Sequence, residues 1–262
     1  MSHPLIWVDA FTDTPFRGNP AAIVLLDAPA DETWMQSLAF ELGLAETAYV
    51  VARAGGRFDL RWFTPTVEIP LCGHATLAAA HALYESERTT GPITFHTLSG
   101  ELVCTRRDGL IEMDFPAVPP TPVDPAPGLL DALGVTDPVA VLDNKQWFIV
   151  ECRTAAEVEQ LTPDLRALER VVPGASVTAR SDRPGVDIVS RVFGPGVGVD
   201  EDAVTGSVHC ALVPYWAEQL GTTEIVAYQA SARGGTLHCR LAGDRVFLAG
   251  PAVTVLRGEI AS

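Results

Sequence analysis

CGHATLAAAHALYE, residues 72–85, and TGSVHCALVPYWAE, residues 205–218, are two occurrences of one pattern. Each opens on a glycine, Gly73 or Gly206. A small polar or imidazole side chain follows, His74 or Ser207, and then an apolar run of helical length. His74 and Ser207 stand 133 residues apart in a chain of 262. The spacing predicts two similar halves, each contributing the N-terminus of a central helix. Residues 75–83 are apolar almost all round, the pattern of a helix buried on every side. A helix N-terminus presents unpaired N–H groups and the positive end of the backbone dipole. Two such ends facing one cleft would hold an anion and stabilise a developing oxyanion.

The segments around these helices repeat as well. Before His74, PLIWVDAF, AAIVLL, TAYVVA and FDLRWFT read as strands. WMQSLAFEL, residues 34–42, reads as a helix stopped by Gly43. After the helix, residues 93–115 read as a three-stranded meander turning at Ser99-Gly100 and Asp108-Gly109. In the second half VAVLD, QWFIVE, SVTAR and VDIVSRVF read as strands, with one helix expected over residues 154–170. A second meander, residues 224–250, turns at Gly234-Gly235 and near Gly243-Asp244. The stretch FPAVPPTPVDPAPG, residues 115–128, holds six prolines and continues neither a helix nor a sheet interior. The expected organisation is an N-terminal lobe over 1–117, a Pro-rich linker over 118–128 and a C-terminal lobe over 129–262. The final strand, AVTVLRG, is able to close either lobe. The fold class expected is α+β: two similar lobes, each an antiparallel β-roll or barrel around a central helix.

Composition narrows the function. Hydrophobic residues make up 47% and charged residues 19%, the balance of a globular chain that buries large cores. The formal net charge of −15 repels nucleic acid and anionic membrane, so neither is expected as a partner. No uncharged apolar run reaches the roughly 18–20 residues of a membrane span. MSHPLIWVDAF lacks a basic region followed by an apolar stretch and is read as no signal peptide. Five scattered cysteines fit reduced thiols and a cytoplasmic location.

VDAFTDTPFRGNPAAIVLL, LGLAETAYV, LRWFTPTVEIPLCGHATLAAAHAL and DEDAVTGSVHC resemble, in order, the signature segments of the PhzF-like isomerases. That family is related in fold to diaminopimelate epimerase. The resemblance implies two α/β-roll lobes with the active site in the cleft between them, and a homodimer. It also implies a cofactor-independent proton shift on a small molecule, typified by isomerisation of a dihydro-hydroxyanthranilate in phenazine synthesis.

Glu46, in LAETAYV, follows a helix stop and opens a strand, a place where functional groups are displayed. Partial burial that raised its pKa would make it a two-way proton carrier, and the resemblance makes it the general acid/base. His74 opens the first central helix, where the dipole favours a neutral imidazole; the resemblance makes it a site residue. Asp202 precedes the second helix, as a cap or charge partner would. The resemblance puts Asp202 and Ser207 in the cleft, Asp202 to orient His74 or bind a substrate amine, Ser207 to hold a carboxylate or a water. Gly73 and Gly206 let backbone N–H groups approach a ligand closely. Gln229, Ser231 and Arg233 are further candidates to line the cleft. Where the family has Pro after the aspartate, this chain has Ala203.

Two other chemistries are weaker. Cys72 stands where related epimerases carry one of two opposed cysteines, but Ala203 and Val204 occupy the place of the second. Cys72 is therefore read as a small buried residue. No metal is expected. His74 and His81 lie about 10 Å apart along a helix, too far for one ion, and His209-Cys210 has no second pair nearby.

Overall fold

The computed structural model describes residues 2–261. The chain divides into two compact units, residues 1–114 with 249–262, and residues 115–248.

In the first unit, β1 (Ser2–Ala10) and β2 (Asn19–Leu26) form an antiparallel pair. The loop between them closes at Gly18. Its φ is +62°, and a Cβ there would meet the Ala10 carbonyl oxygen at 2.1 Å, so only glycine fits. Helix α1 (Glu32–Leu42) follows, capped by the Asp31 carboxylate on the Trp34 N–H and ended by Gly43 at φ 64°. It carries the chain across to β3 (Glu46–Ala52), which lies parallel to β2. Strand β4 (Arg57–Phe63) turns back beside β3, and β5 (Glu68–Ile69) pairs with its end. Helix α2 (Gly73–Glu85) then crosses to β6 (Ile93–Thr97), parallel to β4, and β7 (Gly100–Arg107) and β8 (Leu110–Pro116) complete a meander. Ten of the residues of α2, from His74 to Tyr84, are buried.

The second unit repeats the order. β9 (Thr121–Pro122) pairs with β10 (Ala140–Asp143), after the short α3 (Leu129–Leu133). β10 is antiparallel to β11 (Phe148–Glu151). Helices α4 (Ala155–Gln160) and α5 (Leu165–Val171) lead to β12 (Ala175–Arg180), parallel to β11. β13 (Ile188–Gly194) is antiparallel to β12, and β14 (Val199–Asp202) folds onto it. Helix α6 (Gly206–Leu220) crosses to β15 (Glu224–Gln229), parallel to β13. β16 (Gly235–Ala242) and β17 (Arg245–Gly250) follow. The last strand, β18 (Ala252–Ala261), lies antiparallel to β1 and belongs to the first unit.

The two rolls are therefore mixed rather than purely antiparallel. A helix between two strands carries the chain to the opposite end of the sheet, so the next strand runs parallel. The helix expected over 154–170 is two helices. Pro163 has no N–H to donate and disfavours helical geometry in the residue before it; the next residue, Asp164, caps α5 on the Ala167 N–H at 3.0 Å. Strands of two residues, β5 and β9, carry no periodicity to read. Among the described residues, no helix is long and apolar enough to cross a membrane.

Candidate active site

The first unit brings Glu46 and His74 together. Glu46 is the first residue of β3, opposite Ala21 of β2, and His74 is the second residue of α2. Glu46 Oε2 lies 3.0 Å from His74 Nε2, with side chains 14% and 6% exposed. The two atoms are off the line a hydrogen bond needs, and neither has another hydrogen-bond partner among the described residues. A carboxylate and an imidazole thus face each other in a nearly dry place.

The other ring nitrogen is held as well. Asn19 Nδ2 lies 3.0 Å from His74 Nδ1, and Asn19 is 1% exposed. Cys72 Sγ lies 3.5 Å from the same nitrogen. Burial alone would lower the His74 pKa; the Glu46 carboxylate at contact distance outweighs burial and holds it above the ordinary value. The neutral ring expected from the helix dipole is corrected here, because a carboxylate at contact distance outweighs partial charges on backbone N–H groups. Burial, and then repulsion from Glu46, push the Cys72 thiol up, so it stays protonated at neutral pH.

Cys72 is also the N-cap of α2, and its side chain makes no capping bond. The Cys72 carbonyl accepts from Thr76 Oγ1 at 2.5 Å, which ties the first turn from inside. The N–H groups of that turn, beginning at Gly73, carry no side-chain cap. Glu46, Cys72 and His74 place three potential ligand atoms within 4.8 Å of one another. Burial disfavours the Cys72 thiolate and Glu46 disfavours the neutral His74 ring, and those are the two forms a metal binds. The donor set suits proton transfer better.

The remaining predicted residues are in the second unit. Asp202 ends β14, Gly206 opens α6 and Ser207 is exposed in its first turn. Asp202 Oδ2 accepts from Thr205 Oγ1 at 2.5 Å, so Asp202 holds the N-cap residue of α6 rather than capping the helix itself. Gln229, fully buried, fastens the same turn. Its Oε1 accepts from the Thr205 N–H at 2.8 Å, and its Nε2 donates to the Asp202 carbonyl at 2.7 Å and to Thr205 Oγ1 at 3.2 Å. Ser231 Oγ donates to the Ala203 carbonyl at 2.8 Å. Side chains thus hold the turn where a family proline would stiffen it. His209 Nδ1 donates to the Thr205 carbonyl at 2.7 Å, and burial pushes its pKa down to about 4, so it is a neutral structural group.

The profile of the phenazine biosynthesis-like protein family matches residues 8–258. The chain belongs to that family. An uncharacterized isomerase of Halalkalibacterium halodurans is 46% identical over 264 residues, 99% of each chain. The crystal structure of a PhzF-family phenazine biosynthesis protein from Enterococcus faecalis superposes with a TM-score of 0.94 at 38% identity, over 100% of both chains. A probable proline racemase of Agrobacterium radiobacter shares the fold alone, with a TM-score of 0.63 at 13% identity over 99% of this chain and 93% of its own. Family membership makes the chain an enzyme of the isomerase class.

For a phenazine biosynthesis-like chain, the motif reading found Glu46, Gly73 and His74 in one unit and Asp202, Gly206 and Ser207 in the other. It missed Asn19 and the clamping role of Gln229. Asn19 had a signal: it is the polar residue between Gly18 and Pro20 at the mouth of an otherwise apolar strand. Gln229 closes a strand 24 residues from the turn it holds, and nothing in local pattern joins the two.

Proposed function

We propose that this chain is a cofactor-independent isomerase that moves a proton between carbons of a small carboxylate-bearing metabolite. The observation that carries the reading is the buried contact of Glu46 Oε2 with His74 Nε2 at 3.0 Å. The Glu46 carboxylate takes a proton from a carbon beside an unsaturated or carbonyl-bearing group. The electron pair of that C–H bond spreads into the conjugated system as an enolate-like anion. Glu46, now a carboxylic acid, returns the proton at another carbon of the same system. The shift is redox-neutral and calls for no electron carrier. His74, with its raised pKa, supplies positive charge beside the carboxylate and the developing anion. The uncapped first-turn N–H groups at Gly73 are suited to a substrate oxyanion. On the family resemblance Asp202 is assigned a catalytic role and Gly206 and Ser207 substrate binding, and a homodimer is expected on the same ground.

A second reading, epimerisation through Cys72, draws on the position of that thiol 3.5 Å from the His74 ring. The raised thiol pKa and the absence of a cysteine at Ala203 or Val204 weigh against it. Turnover of candidate unsaturated or keto acids in D₂O separates the two. The carboxylate mechanism gives a positional isomer, with solvent deuterium at the new C–H in those turnovers where the Glu46 proton exchanges before it is returned. A product that differs from substrate only in configuration would overturn it.

A further inference from the structure

Asn19 is held where it is by several features at once. Gly18 turns the backbone immediately before it, and β2 begins at Asn19 itself, opposite Ala10 of β1. The amide reaches His74 across 55 residues of sequence, and its Nδ2 stands 3.0 Å from Nδ1. An amide is one of few side chains that carry both a donor and an acceptor at nearly the same reach. A histidine that gains and loses a proton changes Nδ1 between acceptor and donor. A fixed donor such as Lys, or a fixed acceptor such as Asp, would favour one state and oppose the other.

We propose that Asn19 is a positioning residue that follows the proton of His74. Toward the neutral ring its Nδ2 donates to Nδ1, which keeps the remaining proton on Nε2, the nitrogen beside Glu46. Toward the charged ring the amide turns over and Oδ1 accepts from Nδ1–H. The ring then keeps one orientation against Glu46 while its charge changes. The titratable groups acting on the ring are Cys72, in the turn before α2, and Glu46, on β3. Strands β1, β2 and β18 also pack on α2. On β1, Asp9 accepts from the Phe16 N–H at 2.7 Å; on β18, Arg257 pairs with Glu85 at the far end of the helix, beside His81.

The role of Asn19 in turnover rests on the isomerase reading, but its test does not. The ring is observed by ¹⁵N NMR of histidine-labelled full-length protein without substrate, with the His74 signals assigned through His74→Gln. In the wild-type protein the neutral ring is expected to carry its proton on Nε2. In the isosteric Asn19→Asp variant the carboxylate accepts from Nδ1–H and raises the titration midpoint by about one pH unit or more. In Asn19→Leu the neutral Nδ1–H form should appear beside the Nε2–H form. Two results would overturn the proposal: a wild-type neutral ring protonated mainly on Nδ1, or a midpoint unmoved in Asn19→Asp. The wild-type measurement decides even where a variant fails to fold. An active isomerase with an unmoved ring would sink Asn19 alone; an Nε2–H ring in a protein that turns over no acid would sink only the isomerase reading.

Discussion

Helices α2 and α6 occupy the same place in two units built in the same order, yet their first turns are wired differently. In both, the fourth residue donates back to the carbonyl of the N-cap: Thr76 Oγ1 to Cys72, and His209 Nδ1 to Thr205. In both, the N-cap side chain leaves the first-turn N–H groups uncapped. The strand facing the helix separates them. Glu46 opens β3 opposite Ala21, and the equivalent first residue of β12, opposite Phe148, is Ala175. Ala175 is fully buried in an apolar cluster with Val177 and Phe193. One scaffold thus carries a carboxylate–imidazole pair in the first unit and a hydrogen-bonded turn with a neutral histidine in the second. Duplicating a fold duplicates its helix ends, while the reacting groups are single substitutions on it.

The two histidines make this difference measurable, because their pKa values move in opposite directions. The raised pKa of His74 contributes stability that is full below its unfolded value of 6.5 and is lost as pH rises through the folded pKa. The depressed pKa of His209, about 4, contributes stability that is full above 6.5 and is lost as pH falls toward 4.

The largest expected effect tests whether the carboxylate–imidazole pair is the working half. Glu46→Gln keeps the shape of the side chain and cannot shuttle a proton. Turnover should fall by about 10²–10⁴-fold, or roughly 2.7–5.4 kcal/mol of barrier, with KM changed only a few-fold. Near wild-type turnover would move the chemistry away from the first unit, with Asp202 the next residue to test. A second experiment addresses the neutral half. At about 1.36 kcal/mol per pH unit, the interval between 6.5 and about 4 makes ~3 kcal/mol of acid destabilisation at His209. The urea midpoint should fall across that interval in the wild type and fall less in His209→Gln. Equal pH profiles would mean that His209 is not the group that titrates.

Gln229→Leu comes next. It strands the Thr205 N–H and the Asp202 carbonyl, and should destabilise the protein by about 1–3 kcal/mol. If the turn also positions Asp202 for substrate, KM should rise while the deuterium incorporation pattern stays the same; an unchanged melting midpoint would show that Ser231 holds the turn alone. The smallest effect is expected at Cys72. Cys72→Ala should leave turnover within about threefold, because a thiol held protonated by burial is no base. A loss of about 10²-fold with the fold intact would make the thiol an acid/base partner and favour the epimerase reading.

Residues close in sequence were legible and distant ones were not. Gly43 stops α1 as its position predicts, and the meander turns fall at Gly100, Gly109, Gly234 and Gly243, all with positive φ. Those features depend on backbone conformations available to one residue at a time. The break at Pro163 was equally local, and the helix-favouring residues on either side of it, AAEVEQL and LRALER, concealed it. Helix burial was written in composition, since a helix apolar on every side has no face to give to water.

By itself, then, the sequence determined two buried helices with glycine at their starts, a duplicated order of strands, and the residue types for acid/base work at Glu46 and His74. Tertiary structure decided what those residues are to each other. It set the carboxylate against the imidazole, gave Nδ1 to Asn19, let Gln229 hold the turn before α6, and returned β18 to β1 across almost the whole chain. The physical reason is that burial and contact fix charge. A histidine at a helix start is neutral or cationic according to the groups packed on it, and those groups come from strands whose neighbours no local pattern names.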